Sequence, residues 1–572
     1  MSVHRMKLLI RADAGPRVGT GHVMRTLALG QSWQRLGGDV AFACGDLPNA
    51  LIAKIQKQNF DVYKLNHSRC DESDAEETVE IAHAFQPNWL VLDGYQFGDH
   101  FQQAIRHASK LYDNHFKILV MDDYCHADHT HADLVVNQNA YAKNNLYPIA
   151  KSQPLKSPAI LTGSRFVLLR KEFQRPPLEE TTKPIAKEAK RILVTFGGAD
   201  MDNWTLASLK SLSDLDHKKL IVDCVIGSCY SHLRELEKFK AATKISLRIH
   251  RNVEHMSILM ERADLAISAG GSTCYELARC GVPTIAVPIA ENQIALAREM
   301  QQRGVMTCVE LAQMPLSQNG HDRISQKSTA PDSEFWLVAD REKHSSDKPQ
   351  NGDMDGGSKR HELLTQTIQN LVLDSEKRAK MSSQGMKLVD GHGGDRIAKK
   401  MTSMMYSFRV AQRADAELML GWRNDPEVRS VSFRNDSIAI SAHRKWLDQR
   451  LRDPATTIWI SEDERGNPVG QIRLETSKDC STAVVSIIVD QSLRGRGIGK
   501  TMIMRAAEEF FSKTTVRQIV AQIRPGNVAS EKAFRTAGFT PIPPTIVNGK
   551  LANQFALQRD QHVQPRAIQK SA

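Results

Sequence analysis

Short apolar runs punctuate the first two thirds of the chain, and amphipathic stretches separate them. Lys7 to Ala12, Val40 to Ala43, Trp89 to Leu92 and Ile118 to Met121 read as buried strands, and His22 to Arg35 has helical periodicity. Strand, helix, strand repetition with short loops predicts a parallel sheet wrapped by helices. The Pro- and Lys-rich stretch Arg175 to Lys190 breaks the rhythm as a linker does. Strands are then expected at Arg191 to Thr195, Leu220 to Val225, Ser246 to Ile249, Leu265 to Ser268 and Thr284 to Val287, making a second doubly wound domain. Between Leu311 and Arg360 polar residues crowd out apolar ones, apart from a candidate strand at Phe335 to Val338, and the segment reads as an insertion rather than a site. Helical pattern resumes at Leu363 to Asn370 and ends near Asp390 to Ile397.

A third pattern opens at Tyr406 with a strand and a helix. Strands follow at Thr457 to Ser461, Val469 to Glu475 and Val484 to Val489, then a glycine-rich turn, a helix at Lys500 to Ser512, a strand near Ile519 and a helix at Ala529 to Ala537. The tail after Asp560 has no pattern. The expected architecture is α/β: two Rossmann-like doubly wound domains, residues 1–175 and 176–405 (the latter with the insertion near 311–360), followed by an α+β domain over 406–572.

Composition narrows the class. Hydrophobic residues at 41% and charged residues at 25% exclude a fibrous or wholly disordered chain. The nine cysteines show no CxxC pair and no secreted-domain spacing, which together with the lack of a signal peptide or a membrane-spanning run points to the cytoplasm. The net charge of +11 is concentrated at the end, where 25 Lys and Arg face 17 Asp and Glu from Tyr406 onward. A nucleic-acid partner is not expected, because no aromatic-rich basic stripe accompanies that charge; a phosphate-rich ligand or a solvated basic surface accounts for it. Composition is silent on oligomeric state.

Two glycine-rich turns carry candidate chemistry. After the apolar run VVSIIV come Arg494, Gly495, Arg496, Gly497, Ile498, Gly499 and Lys500, at the start of a helix. Glycines let backbone amides turn toward an anion and the helix start adds partial positive charge, although an unliganded turn has the same pattern. Past one more strand come Asn527, Ser530, Phe534 and Gly538-Phe539 at helical intervals. That ensemble resembles the GNAT acetyltransferase family over about Tyr406 to Gln558. The resemblance implies acetyl-CoA as cosubstrate, with its pyrophosphate on Arg494 to Lys500, its pantetheine arm on the backbone of Ile488 and Val489, and Asn527 and Ser530 further along. WRND, Trp422 to Asp425, is similar to the opening helix of the branch that acetylates amino-sugars or protein amino termini. Many relatives supply a tail tyrosine as the acid, but none follows Tyr406 here, so no acid is assigned; His443 and Glu475 are candidate bases or ordinary surface groups.

The other turn, Ser268 to Thr273, lies between a strand and a helix that carries Glu276 one turn in. Close backbone approach at Gly270 and Gly271, with Ser272 and Thr273 beside the helix start, suits a diphosphate, and Glu276 suits ribose hydroxyls; a plain capped turn is the alternative. GVPTIAVP and AENQ, with Asn292 and Gln293, extend the pattern, and Phe196 to Asp200 brings Gly197 and Gly198 after another strand. These stretches resemble the donor-binding half of B-type glycosyltransferases, which hold UDP-sugars between two Rossmann domains.

In the first unit Asp13, Gly15, Gly19, Gly21, His22 and Arg25 lie between the first strand and first helix, placing His22 at the carboxyl edge of the sheet. An imidazole there can take a proton from water, or merely cap the helix. The order RADAGPRVGTGHVMR, LDGY, MDD, VVNQN, TFGGAD, SAGGSTCYE, AENQ resembles the UDP-sugar hydrolases of pseudaminic-acid synthesis over about Met6 to Met405, the insertion apart. The resemblance implies metal-free, inverting attack of water at the anomeric carbon of a UDP-diacetamido-trideoxy-altropyranose. His22 is then the base, Tyr95 and Asn292 position water and sugar, and Gly271, Ser272, Thr273 and Glu276 hold UDP, with Asp13, Gly21, Arg25, Gly197, Gly198 and Gln293 lining the substrate. The fused acetyltransferase would act on the preceding UDP-amino-sugar. A glycosyltransferase, a nucleotide-sugar sensor and a protein amino-terminal acetyltransferase are the rivals. Asp122, Asp123, Cys125, His126, Asp128, His129 and His131 look like metal ligands, but no spacing matches a known cage, and Asp-Asp after a strand commonly caps the next turn. No metal is expected.

Overall fold

The computed structural model describes residues 5–309 and 354–559 apart from 16–18, 46, 68–69, 113–114, 124, 126, 128, 148–156, 175–183, 199, 216–219, 228–229, 252, 464–465 and 496, and without the side chains of 292 and 354–360. The insertion with its candidate strand, most of the linker, Arg496 and the stretch from Asp560 on therefore lie outside the described residues. The chain divides into two compact units, residues 6–398 and a rear unit from Lys399 onward.

The front unit holds two parallel sheets. The first contains β1 (Lys7–Ala12), β2 (Asp39–Cys44), β3 (Asp61–Lys64), β4 (Trp89–Asp93), β5 (Lys117–Met121), β6 (Leu134–Asn137) and β7 (Ala159–Thr162), in spatial order β3-β2-β1-β4-β5-β6-β7. Helices α1 (Gly21–Arg35), α2 (Asn49–Gln56), α3 (Glu72–Phe85) and α4 (Asp99–Leu111) connect them. Leu8, Leu9 and Ile10 are fully buried, as expected for strands covered on both faces. The second sheet runs β10-β9-β8-β11-β12-β13, from β8 (Arg191–Thr195), β9 (Ile221–Ile226), β10 (Ser246–Arg251), β11 (Leu265–Ala269), β12 (Thr284–Val287) and β13 (Met306–Cys308). Its helices are α5 (Trp204–Ser213), α6 (Leu233–Ala242), α7 (Met256–Arg262), α8 (Thr273–Arg279) and α9 (Glu291–Gln302), then α10 (Met354–Leu373), α11 (Ser375–Leu388) and α12 (Gly393–Met404). The short strands β3 and β13 lack the apolar runs that marked the central ones, and β7 has only the three apolar residues Ala159 to Leu161.

At α12 the chain returns to the first sheet's side. Side chains at Gly393 and Gly394 would collide with the Val167 carbonyl and the Ser32 hydroxyl, so glycine permits the close approach. Arg35 Nη2 meets Asp395 Oδ1 at 2.6 Å on the same face.

The rear unit is one mixed sheet, β14-β15-β16-β17-β18-β20-β19, with α13 (Ala416–Asn424), α14 (Pro426–Ser430) and α15 (Ile440–Arg452) before β15, α16 (Ile498–Lys513) between β17 and β18, and α17 (Val528–Thr536) after β18. Its strands are β14 (Ser407–Val410), β15 (Thr456–Glu462), β16 (Pro468–Thr476), β17 (Thr482–Val489), β18 (Gln518–Ile523), β19 (Thr540–Val547) and β20 (Lys550–Gln558). The parallel β17/β18 ladder runs only from Thr482↔Gln518 to Val485↔Ala521, although both strands continue. Ser486 to Val489 consequently pair with β16 alone, and the two strands part into a gap. Among the described residues no helix is long and apolar enough to cross a membrane.

Candidate active sites

In a doubly wound sheet, crossovers leave in opposite directions at one point, and a crevice opens beyond the carboxyl ends of the two strands there. The first sheet's switch lies between β1 and β4, where Ala12 stands beside Asp93. Past β1, Gly15 and Gly19 exchange backbone hydrogen bonds of 3.2 and 2.8 Å, with Gly19 at φ +76°, and deliver Gly21 and His22 to the first turn of α1. Asp93 ends β4, and Tyr95 follows two residues later. His22 Nδ1 lies 2.7 Å from Asp93 Oδ1, and the Tyr95 ring stands edge-on to the imidazole at 4.9 Å. The carboxylate can only accept, so Nδ1 carries the proton and Nε2 keeps its lone pair. Asp93 is thus the group that orients the His22 imidazole, and its place at a strand end inside LDGY was the available signal.

Two expected substrate residues have other occupations. Asp13 is paired at 2.6 Å with the fully buried Arg11 and accepts from the Gly45 amide at 2.8 Å, so its carboxylate pins the loop after β1. Arg25 lies beneath His22: Nε and Nη2 reach Asp93 at 2.7 and 2.6 Å, and Nη1 reaches both Asp123 oxygens at 2.8 and 2.9 Å. Burial pushes the Asp93 carboxyl up, but Arg25 and His22 outweigh it and hold it below the ordinary range. Asp123 is steadied in turn by Asn139 Nδ2 at 3.1 Å. Arg25 therefore ties Asp93 to Asp123 beneath the imidazole.

The second sheet switches between β8 and β11, where Thr195 stands beside Ser268. Gly197 has φ +81°, and a Cβ on Gly198 would sit 3.7 Å from Thr20, at the mouth of α1, so this loop faces the His22 turn across the cleft. Gly227 packs on the Gly198 carbonyl too closely for any side chain. Past β11, Gly270 approaches α9 so that a Cβ would lie 3.2 Å from that of Gln293. Gln293 Oε1 accepts from the Gly270 and Ile289 amides at 3.0 and 3.1 Å, and Nε2 lies 3.7 Å from a Cβ placed on Gly271. Ser272 is exposed and makes no side-chain cap, leaving its hydroxyl to the cleft beside Thr273. Glu276 pairs with Arg170 at 3.0 Å, and burial pushes its carboxyl up against that cation. Asn292 is the second residue of α9; its side chain lies outside the described residues.

The acid-rich segment after β5 is already committed. Asp122 accepts from the Cys125 amide at 3.1 and 3.0 Å and from the Tyr147 hydroxyl at 2.6 Å, which makes it a turn cap in a buried network. His126 and Asp128 lie outside the described residues. Among the described residues no group of three or more His, Cys, Asp or Glu is arranged to hold a metal ion.

In the rear unit Gly495 and Gly497 have φ +77° and +79°, with open space where each Cβ would be, and Ile498, Gly499 and Lys500 form the first turn of α16. Arg494 is held by carboxylates behind the cradle. Its Nη1 reaches Glu427 at 2.7 Å, Nη2 reaches Asp425 at 3.1 Å, and Nε donates to the Val489 carbonyl at 3.1 Å. Trp422 Nε1 donates to Asp490 at 2.8 Å, and Asp425 caps α14. WRND therefore braces the cradle from behind. Asn527 caps α17 by accepting from the Ser530 amide at 3.1 Å. His443 is 4% exposed and stacks on Trp446 at 5.2 Å, and burial with Arg423 lowers its pKa. Glu475 lies between Arg450 and Arg473 at 3.5 and 3.4 Å.

Residues 192–329 match the family described as glycosyltransferase family 28 C-terminal domain, and residues 407–540 the acetyltransferase (GNAT) domain. The class is thus a Rossmann-like, glycosyltransferase-type unit followed by a GNAT acetyltransferase domain. Within it, the chain is a homologue of the pseudaminic-acid pathway hydrolases fused to that domain. It is 26% identical over 299 residues to the UDP-2,4-diacetamido-2,4,6-trideoxy-beta-L-altropyranose hydrolase of Campylobacter jejuni, covering 52% of this chain and 97% of that one. An uncharacterized protein of Methanocaldococcus jannaschii is 22% identical over 93% of this chain and 96% of its own. Among solved structures, an aminoglycoside acetyltransferase in complex with coenzyme A matches 27% of this chain and 95% of its own, at 16% identity and TM-score 0.25.

Proposed function

We propose that the chain is bifunctional: the front unit hydrolyses UDP-2,4-diacetamido-2,4,6-trideoxy-beta-L-altropyranose to free sugar and UDP, and the rear unit acetylates the amino group of the UDP-linked precursor. The observation that carries the first half is the His22–Asp93 pair at the switch point, opposite Gly197 and Gly198. His22 Nε2 takes a proton from water as the oxygen attacks the anomeric carbon from the face opposite UDP. The glycosyl C–O bond breaks, its electron pair leaves with UDP, and configuration inverts. Asp93 stabilises the imidazolium that forms. Tyr95 walls the imidazole, while Ser272, Thr273, the glycine amides and Gln293 Nε2 are the groups available to the diphosphate.

In the rear unit, acetyl-CoA supplies the activated acyl group. The cradle of Gly495 to Lys500 suits its pyrophosphate, because two glycines in left-handed conformation leave the amides unobstructed. The unpaired edge of Ser486 to Val489 suits the amides of its pantetheine arm. Asp425→Ala removes a helix cap and releases Arg494, so the KM for acetyl-CoA should rise severalfold and the unit should lose about 1 kcal/mol of stability, both read from saturation kinetics and denaturant unfolding.

The whole scheme is tested by mixing the protein with acetyl-CoA and the UDP-amino-sugar and following free thiol and UDP together. Thiol should appear first and UDP after it. Thiol without later UDP removes the hydrolytic half, whereas UDP that requires an added sugar acceptor makes the front unit a glycosyltransferase.

A further inference from the structure

One face of the rear sheet collects cations that neither the acetyl donor nor the sheet accounts for. Gln471, Arg473 and Glu475 alternate along β16 and so share that face, beneath Arg423 of α13, Arg429 of α14 and His443 and Trp446 of α15. The Arg473 guanidinium lies 5.4 Å over the Trp446 ring, and His443 stacks on the same ring. Arg423 Nη2 is held by the Arg434 carbonyl at 2.7 Å. Yet Arg423 Nη1, Arg429 Nε, His443 Nε2 and Gln471 Oε1 are all buried without a hydrogen-bond partner among the described residues, and Arg473 Nε and Glu475 Oε1, also without one, share only an ion pair at 3.4 Å. Leaving such atoms unsatisfied is costly, and native proteins keep few of them. Such a group on one face indicates a polar ligand.

The charge says which kind. Burial and then the like charges of Arg429 and Arg434 pull the Arg423 guanidinium down, and burial with Arg450 and Arg423 does the same to Arg473 against Glu475. Converging guanidiniums that depress one another are relieved by a multiply charged anion, and their planar forks match phosphate oxygens. The position is also defined. Arg473 stands beside Ser486 and Gln471 beside Ile488, in the stretch where β17 has parted from β18. About 10 Å of strand separates Ser486 from Val489, at roughly 3.3 Å per residue, so the cluster is distinct from the glycine cradle beyond β17.

We propose that Arg423, Arg429 and Arg473 form a seat for the diphosphate of the amine acceptor, so that the rear unit selects nucleoside-diphosphate-linked amines over free or polycationic ones. This rests on the acetyltransferase reading of the rear unit and adds how the acceptor is chosen. A cationic amine would meet an excess of like charge there, since Glu475 is already paired with Arg450 and Arg473, and an uncharged amino-sugar would leave the orphaned donors unmet.

The test compares two acceptors on the full chain, the UDP-linked amino-sugar and the same amino-sugar without UDP. Arg423→Gln and Arg473→Gln should each lower the ratio of kcat/KM for the UDP-linked over the unlinked acceptor about tenfold or more, through KM, while Arg473→Lys retains part of that preference. A ratio unchanged in both Gln variants overturns the proposal, as does a rise in the KM for acetyl-CoA alone, which would assign the seat to the donor. If neither amine is acetylated, the function proposed for the rear unit fails, and UDP titration decides the seat by itself. One fewer UDP bound by the Arg423→Gln/Arg473→Gln protein than by the wild type supports it, and equal stoichiometry overturns it.

Discussion

His22→Ala is expected to slow UDP release by about a thousandfold, within the 10²–10⁴ range of a lost general base, while thiol release from acetyl-CoA continues. The imidazole is 6% exposed, so its loss leaves a small cavity but breaks no ion pair other than that to Asp93. His22→Gln fills the volume without a basic nitrogen and should be as inactive, which separates chemistry from packing. Asp93→Asn keeps the shape and replaces an acceptor-only oxygen with an amide that can donate to Nδ1. The proton then moves to Nε2, the wrong nitrogen for accepting one from water, and UDP release should fall by a comparable factor. Initial rates of UDP formation at saturating substrate measure all three. A His22→Ala protein that keeps a tenth or more of the wild-type rate would remove the base from this position.

The central strands of the two front sheets were legible because parallel strands covered on both faces must be continuously apolar, and Leu8 to Ile10 or Ile192 to Val194 carry no polar residue; in the rear sheet, where β17 and β18 alone run parallel, short apolar runs such as Val484 to Val489 marked the strands. Edge strands such as β3 and β7 and the β19/β20 hairpin were not, since a half-exposed strand need not differ in composition from a loop. The placement of His22 and of the glycine turns at strand ends could be read from local punctuation, whereas Tyr95 entered through the family resemblance. What could not be read was which charge faces which. Asp13 and Arg25 stand in the same short segment as His22, yet Asp13 is taken by its neighbour Arg11, and Arg25 by Asp93 and Asp123, partners 68 and 98 positions away. Likewise WRND marked the rear unit's opening helix, but only the folded sheet shows Trp422 and Asp425 holding Asp490 and Arg494. Local sequence reports backbone need, and long-range pairing of buried charge leaves no periodic trace.

The pairing beneath the base carries the largest stability prediction. Arg25→Met preserves the apolar stem and removes the cation, leaving Asp93 and Asp123 buried without their shared partner. Breaking a buried pair in this way costs about 3–5 kcal/mol, more than the pair itself contributes, because the stranded carboxylates cannot regain their hydration. The pH dependence should change sign as well. In the wild type the Asp93 carboxyl titrates below its unfolded value of about 3.9, so its stabilisation is complete above that pH and is lost only as pH falls through the folded value. In Arg25→Met, burial is opposed at Asp93 by His22 alone, and the Asp93 carboxyl should titrate above the unfolded value, so stability is lost as pH rises. Denaturant unfolding at pH 5 and pH 8 should therefore show the variant's deficit growing toward pH 8. A deficit under about 1 kcal/mol at both values, or one that grows toward pH 5, would mean that Arg25 does not neutralise these carboxylates, and that Asp93 orients His22 without its help.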